Sequence, residues 1–311
     1  NFNFVGLGNK MRHLLVLFIL LFSFANAKEN PKIIAFAQDT MANDFRKAQV
    51  FEAKEHSKKY NNIDFVYSDA KGQTSLLIKQ IDNFISDKVD VIIVGTNDAK
   101  AVVPVIAKAN KLGIGVIILD RGIQGEEYTS FINSDNIKIG KLGAQYLAER
   151  LEEKGVILIF EGLKKADVTQ LRTKGFMDEI SKYKDIKIIK RTANYLRKDA
   201  ILQTEKLILE DVKFDAIFSQ SDSMLSGFRA AYEKNNLDAS KILSVGCDYT
   251  SEAKEAIKKG TQTASILFPL GAKESVDVAL EIISKKEVSK HIVIPVELVT
   301  KENVDIVKPV F

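Results

Sequence analysis

From residue 32 onward, short apolar runs alternate with stretches in which apolar residues recur every three or four positions. Residues 33–37 form the first run, and residues 45–60 follow with helical spacing. The alternation continues with runs at 63–67 and 91–94, interleaved with helical stretches at 75–86 and 99–112. A run at 116–119 closes the series. The pattern then restarts. Helical stretches at 137–151, 167–183, 198–209 and 224–235 alternate with runs at 156–160, 186–189, 216–218 and 242–245. Continuous β-branched runs, without polar alternation, suit strands covered by helices on both faces, and hence parallel sheets. Two successive βα series predict an α/β protein of two doubly wound parallel-sheet lobes. No Pro- or Gly-rich linker separates the series, so short crossovers join the lobes and not a flexible tether.

The first residues follow a different pattern. Met11-Arg12-His13 precedes an apolar run over residues 14–24, then Ala25-Asn26-Ala27 and a charged stretch. A short basic start, an apolar core and an A-x-A site predict a secretory signal peptide cleaved after Ala27. The run falls short of the about 20 residues a membrane-spanning helix needs. Met11 is then the initiator, with residues 1–10 upstream of it, and the expected location is periplasmic. The whole chain carries 45 basic and 41 acidic residues, for a net charge of +4. Lys10 and Arg12 fall before the cleavage site and no acid does, so the mature charge is two lower. The signs are interleaved, which is not the basic stripe of a nucleic-acid binder. Cys247 is the only cysteine, which excludes an intramolecular disulfide and a multi-cysteine metal site. His13, His56 and His291 have no ligand spacing, so no metal and no cofactor is expected.

Ligands of open α/β sheets sit beyond the carboxyl ends of the strands. Polar residues gather there: Asp39, Thr40 and Asn43; Thr96, Asn97 and Asp98; Asp120 and Arg121; Gln220, Ser221 and Asp222; and Asp248. Helix capping accounts for Asp98 and Asp222. It does not account for Asp120-Arg121, because no helical pattern begins there.

The segments Ile118-Leu119-Asp120-Arg121, Ser134-Asp135-Asn136, Arg172-x-x-Gly175-Phe176 and Val245-Gly246-Cys247-Asp248 resemble those of periplasmic sugar-binding proteins of the ribose and galactofuranose type. The resemblance spans residues 32–299. It implies a type I periplasmic binding protein whose two lobes, joined by three hinge crossovers, close on a ligand. The implied first lobe takes in residues 28–134 and 269–297, and the second 135–268 and 298–311, after the leader at 1–27. The implied ligand contacts are Asn43, Phe45, Arg46, Asp120, Arg121, Arg172, Tyr195, Ser221, Asp248 and Phe268. Several depart from the ribose-binding pattern. Arg46 replaces an aromatic, Gly95 and Ser221 replace asparagines, Cys247 replaces an aromatic, and Phe268 stands where a glutamine is expected. An arginine at the place of Arg46 resembles the galactofuranose-binding branch.

Carboxylates accept hydrogen bonds from adjacent sugar hydroxyls, guanidinium groups donate in a fixed fork, and aromatic faces cover the C–H patches of a ring. Three arginines against two aspartates among the implied contacts leave open a furanose sugar, a polyol, or a solute carrying carboxylate or phosphate. The resemblance implies a monomeric substrate-binding subunit that delivers its solute to an inner-membrane ABC permease. The alternative is a receptor presenting its closed form to a sensor kinase or chemoreceptor, as in autoinducer-2 receptors. An enzyme is disfavoured, since no Walker loop, H-E-x-x-H, G-x-S-x-G elbow or Cys/His pair is present. A sugar-responsive repressor would need an N-terminal helix-turn-helix where the export signal stands.

Overall fold

The computed structural model describes residues 30–311, and the expected leader at 1–27 lies outside them. The first series forms β1 (Lys32–Gln38), α1 (Asp44–Ser57), β2 (Ile63–Asp69), α2 (Thr74–Ser86), β3 (Val91–Gly95), α3 (Val103–Lys111), β4 (Gly115–Leu119) and β5 (Ser130–Ser134). The second forms α4 (Asn136–Arg150), β6 (Lys154–Glu161), α5 (Asp167–Ile180), β7 (Asp185–Thr192), α6 (Arg197–Leu209), β8 (Ala216–Ser219), α7 (Asp222–Lys234), β9 (Leu243–Asp248), α8 (Ser251–Lys259) and β10 (Ala264–Leu267). The chain then adds α9 (Ala272–Ile283), β11 (His291–Ile294) and β12 (Glu297–Thr300).

The strands make two six-stranded sheets, ordered β11-β5-β4-β3-β1-β2 and β12-β10-β9-β8-β6-β7. Every pairing is parallel except β10 with β12. The two sheets repeat one winding. In each, the first strand of the series lies between the second and the third. That reversal is the switch point at which open α/β sheets hold ligands. The chain passes between the sheets three times: from β5 into α4, from β10 into α9, and from β11 into β12. The observed architecture is therefore the expected pair of doubly wound lobes with three crossovers.

The apolar runs are buried for the reason their composition suggests. Residues 34–37 of β1 and 91–94 of β3 have no exposed surface, because helices cover both faces of the sheet. One expected helix is shorter than its pattern. The stretch at 99–112 becomes helical only at Val103, because Pro104 fits the first turn of a helix and not its interior. The preceding turn is held by Asp98, whose carboxylate accepts from the backbone N–H of Lys100 at 3.1 Å and of Ala101 at 3.0 Å. Asp98 thus caps a turn ahead of α3 and not the helix itself. Among the described residues no helix is long and apolar enough to cross a membrane.

Candidate functional site

The carboxyl ends of β1, β3 and β4 face those of β6, β8 and β9 across a cleft. All ten residues singled out from the sequence line one cavity there, of about 290 Å³, together with Val168. Val168 lies one helical turn before Arg172 on α5, so the i, i+4 rule could have found it.

The first lobe supplies a cationic floor. Asn43 caps α1 by accepting from the backbone N–H of Arg46 at 3.0 Å, which sets Phe45 and Arg46 on the first turn. The Arg46 guanidinium is buried. Its Nη1 lies 3.2 Å from Asp120 Oδ2 and donates to Gln49 Oε1 at 3.2 Å, and its Nη2 donates to the Thr96 carbonyl at 3.2 Å. Asp120 sits just beyond β4 with φ of 69°, a left-handed conformation that turns its carboxylate off the strand axis. Arg121 donates from Nη1 to Asp39 Oδ2 at 3.2 Å. Asp120 Oδ1 and Arg121 Nε are buried without a protein partner.

The second lobe supplies the opposite wall. Arg172 donates from Nε to Asn136 Oδ1 at 2.8 Å and from Nη1 to the Gln220 carbonyl at 2.7 Å. Its position depends on close contact between α4 and α5. A Cβ on Gly140 would lie 2.0 Å from the Arg172 carbonyl oxygen. Tyr195 is held by a 2.8 Å hydrogen bond between its hydroxyl and Thr169 Oγ1, and burial raises its phenol pKa. Burial also pushes the Asp248 carboxyl well above the usual carboxylate range, against the pull of nearby Arg172.

The lobes meet across the cavity. Asn43 Nδ2 donates to the Tyr195 carbonyl at 2.8 Å, the Arg121 guanidinium lies 5.3 Å from the Tyr195 ring centroid, and the Gly122 N–H donates to Asp167 Oδ2 at 2.8 Å. Phe268, on the second crossover, stacks on Phe45 with centroids 5.1 Å apart and has Arg172 4.6 Å from its own ring centroid. The contacts that hold the lobes together therefore also wall the cavity.

The periplasmic binding protein domain family matches residues 34–287. The chain belongs to this family. The ribose import binding protein of Bacillus subtilis (strain 168) is 27% identical over 250 residues, covering 80% of this chain and 81% of that protein. Among solved structures, an ABC transporter solute-binding protein from Bacillus halodurans C-125 with bound myo-inositol superposes with a TM-score of 0.84 at 27% identity, covering 90% of this chain and 98% of that one. A periplasmic solute-binding protein of an ABC transporter from Actinobacillus succinogenes 130z with bound D-allose gives 0.80 at 29% identity, covering 88% and 99%. The matched family and these relatives are binding proteins, not enzymes.

Two sequence readings of this periplasmic binding protein change with the structure. Ser221 lines the cavity, but its hydroxyl is also the cap of α7 and accepts from the Met224 N–H at 3.2 Å. Asp222 is therefore not the cap. Its buried carboxylate accepts from Gln262 Nε2 at 2.8 Å, Ser265 Oγ at 2.6 Å and the Tyr249 N–H at 2.8 Å. These bonds tie down the turn after β9, where Asp248 and Tyr249 have φ of 108° and 60°. The charge count changes too. Asp39 is buried beneath Arg46 and Arg121, so in the first lobe two carboxylates (Asp39 and Asp120) face two guanidinium groups. The cationic excess inferred from the sequence is gone from the first lobe, while Arg172 in the second is held by neutral partners, Asn136 and the Gln220 carbonyl. Among the described residues no group of three or more His, Cys, Asp or Glu is placed to hold a metal.

Proposed function

We propose that this protein is the periplasmic solute-binding subunit of an ABC importer and captures a small sugar or polyol between its lobes. The observation that carries the reading is the closed cleft itself. Arginine and aspartate side chains from both lobes line a cavity of about 290 Å³, and aromatic residues from both lobes close it. Each hydroxyl of a sugar can donate to a carboxylate and accept from a guanidinium. The Asp120 Oδ1 acceptor and the Arg121 Nε donor await such partners. Phe45, Tyr195 and Phe268 cover apolar faces of the ligand. A ligand touching both lobes selects the closed form, and the closed form is what a permease recognises. Relatives named for ribose import and structures holding myo-inositol or D-allose support this solute class. Periplasmic delivery rests on the leader at residues 1–27 and on the family. In this reading the cleft encloses its solute and releases it unchanged.

The test is a thermal-shift screen of neutral pentoses, hexoses and cyclic polyols. A true ligand at 100 times its Kd stabilises the folded protein by about 2.7 kcal/mol. Asp120→Ala and Arg172→Ala should abolish that shift while the chain still folds. A screen without a hit, or normal binding by both variants, refutes the assignment. Loss of radiolabelled solute uptake on deleting the protein from its source cell tests the importer role.

A further inference from the structure

We infer that Asp39, which does not line the cavity, is the positioning residue that makes this cleft select uncharged solutes over anionic ones. The inference rests on the solute-binding reading above and narrows it to a chemical class.

Asp39 follows β1 directly, at the switch point of the first sheet. Its backbone is fixed on both sides: its N–H donates to the Gly95 carbonyl at 3.0 Å, and its own carbonyl accepts from Gly72 at 2.7 Å. The side chain is 1% exposed and points beneath two arginines. Oδ2 accepts from Arg121 Nη1 at 3.2 Å, and Oδ1 lies 3.5 Å from Arg46 Nε. A single carboxylate thus spans both guanidinium groups of the cavity floor from the side away from the ligand.

The two arginines oppose one another. Burial, and then the charge of Arg121, lower the pKa of Arg46, while Asp39 and Asp120 hold it up. Paired cations beside a small cavity would draw in a carboxylate or phosphate. Asp39 satisfies that demand from within the protein. The fork it leaves facing the cavity donates hydrogen bonds without an excess charge, which suits hydroxyl acceptors. An anionic ligand entering here meets Asp120, and both first-lobe guanidinium groups already hold carboxylates; like-charge contacts of that kind reject wrong partners.

Gly95 makes the arrangement sterically possible. A Cβ there would lie 2.1 Å from Gln38 Oε1 and 3.1 Å from Arg46 Nη1, so a larger residue must displace the Gln38 amide, which donates to the Arg46 carbonyl, and press on the guanidinium beside it. Gly95 and Arg46 are both departures from the ribose-binding pattern.

The experiment compares the wild type with Asp39→Asn, which keeps the shape and removes the charge. Calorimetric titration uses myo-inositol, D-allose and D-ribose as neutral probes, and D-galacturonate, D-gluconate and inorganic phosphate as anionic ones. The wild type is expected to bind a neutral probe at least about tenfold more tightly than any anion. Asp39→Asn should narrow that ratio by about tenfold or more. A purely structural role would weaken both classes alike and leave the ratio unmoved. An unchanged ratio in a folded Asp39→Asn variant overturns the inference and leaves solute binding intact. A wild type that prefers the acids does the same, and it needs no variant to fold. A wild type that binds no sugar, polyol or acid overturns both readings.

Discussion

Replacing Asn43 separates the stability of the protein from the closure of its cleft. Its amide does two jobs: Oδ1 accepts from the Arg46 N–H at 3.0 Å to cap α1, and Nδ2 donates to the Tyr195 carbonyl of the facing lobe at 2.8 Å. Losing an N-cap to alanine costs about 1 kcal/mol. Losing a buried hydrogen bond costs a net of about 0.5–1.5 kcal/mol, and more where the carbonyl left behind is sealed from water. Serine retains the cap but has no N–H to reach Tyr195. In Asn43→Ser the penalty therefore falls on the closed form alone, since the Tyr195 carbonyl is hydrated once the lobes part. A loss of about 1 kcal/mol in closure raises the apparent Kd about fivefold. Asn43→Ala should raise it similarly and also lower the melting temperature of the ligand-free protein by about 2 °C. The neighbouring Asp44–Arg197 contact at 3.7 Å also bridges the lobes, but both side chains are about half exposed. Such pairs contribute about 0–1 kcal/mol and fade with salt. Asp44 also accepts from Ser223 Oγ of the facing lobe at 3.0 Å, so Arg197→Ala is the variant that removes the salt bridge alone from the contacts between the lobes, and it should shift Kd by less than Asn43→Ser does. Calorimetry and thermal melts on the three variants decide the matter. If Asn43→Ser binds like the wild type, or loses melting temperature as Asn43→Ala does, the cross-lobe bond is not what holds the cleft shut.

Three further outcomes follow from buried groups. Gly140→Ala forces its Cβ against the Arg172 carbonyl and should destabilise by about 1–3 kcal/mol while weakening ligand binding; unchanged melting would show that α4 and α5 have slack there. Cys247 is fully buried, and burial pushes its thiol pKa well up, so a disulfide reagent should label it only after denaturation; labelling of the native protein at the unfolded rate contradicts this. Burial pushes the Asp222 carboxyl up to about 6 from an ordinary 3.8, against hydrogen bonds from Ser265 and Gln262. Because the folded state then holds its proton more tightly, this group's contribution to stability is complete below pH 3.8 and is lost as pH rises through 6. Asp222→Asn should flatten that part of the pH–stability profile, and a wild-type profile that rises over the same window without flattening in the variant refutes it.

The strands and the cavity lining were legible in the sequence for one physical reason. A strand buried on both faces is a continuous apolar run, and in a parallel sheet the polar residues just past its carboxyl end point to one place. β5, β10, β11 and β12 lack that signature, and β10 is only the four residues Ala264–Leu267. β5 reads Ser-Phe-Ile-Asn-Ser with alternating burial, and β11 and β12 are half exposed, so none stands out as an apolar run. Asp222 was misread because Ser221 and Asp222 are both good caps and only one can occupy the position. The partners that decide it lie 27 to 43 residues further along the chain.

Asp39 is the more instructive case, because it was visible at a strand end and still not placed in the site. Sequence comparison weighs residues that would touch the ligand, and by that measure Arg46 is an added cation in search of an anion. The structure shows the counter-ion already present beneath it, with Oδ1 3.5 Å from Arg46 Nε and Oδ2 3.2 Å from Arg121 Nη1. Gly95 carries no chemistry of its own, yet a side chain there would strike the Gln38 amide that braces Arg46 through its carbonyl. The charge a ligand meets is a property of this three-residue arrangement, and no member of it reports that charge alone. A substitution at the ligand surface therefore has to be read together with the residues behind it before it can be taken as evidence for the ligand.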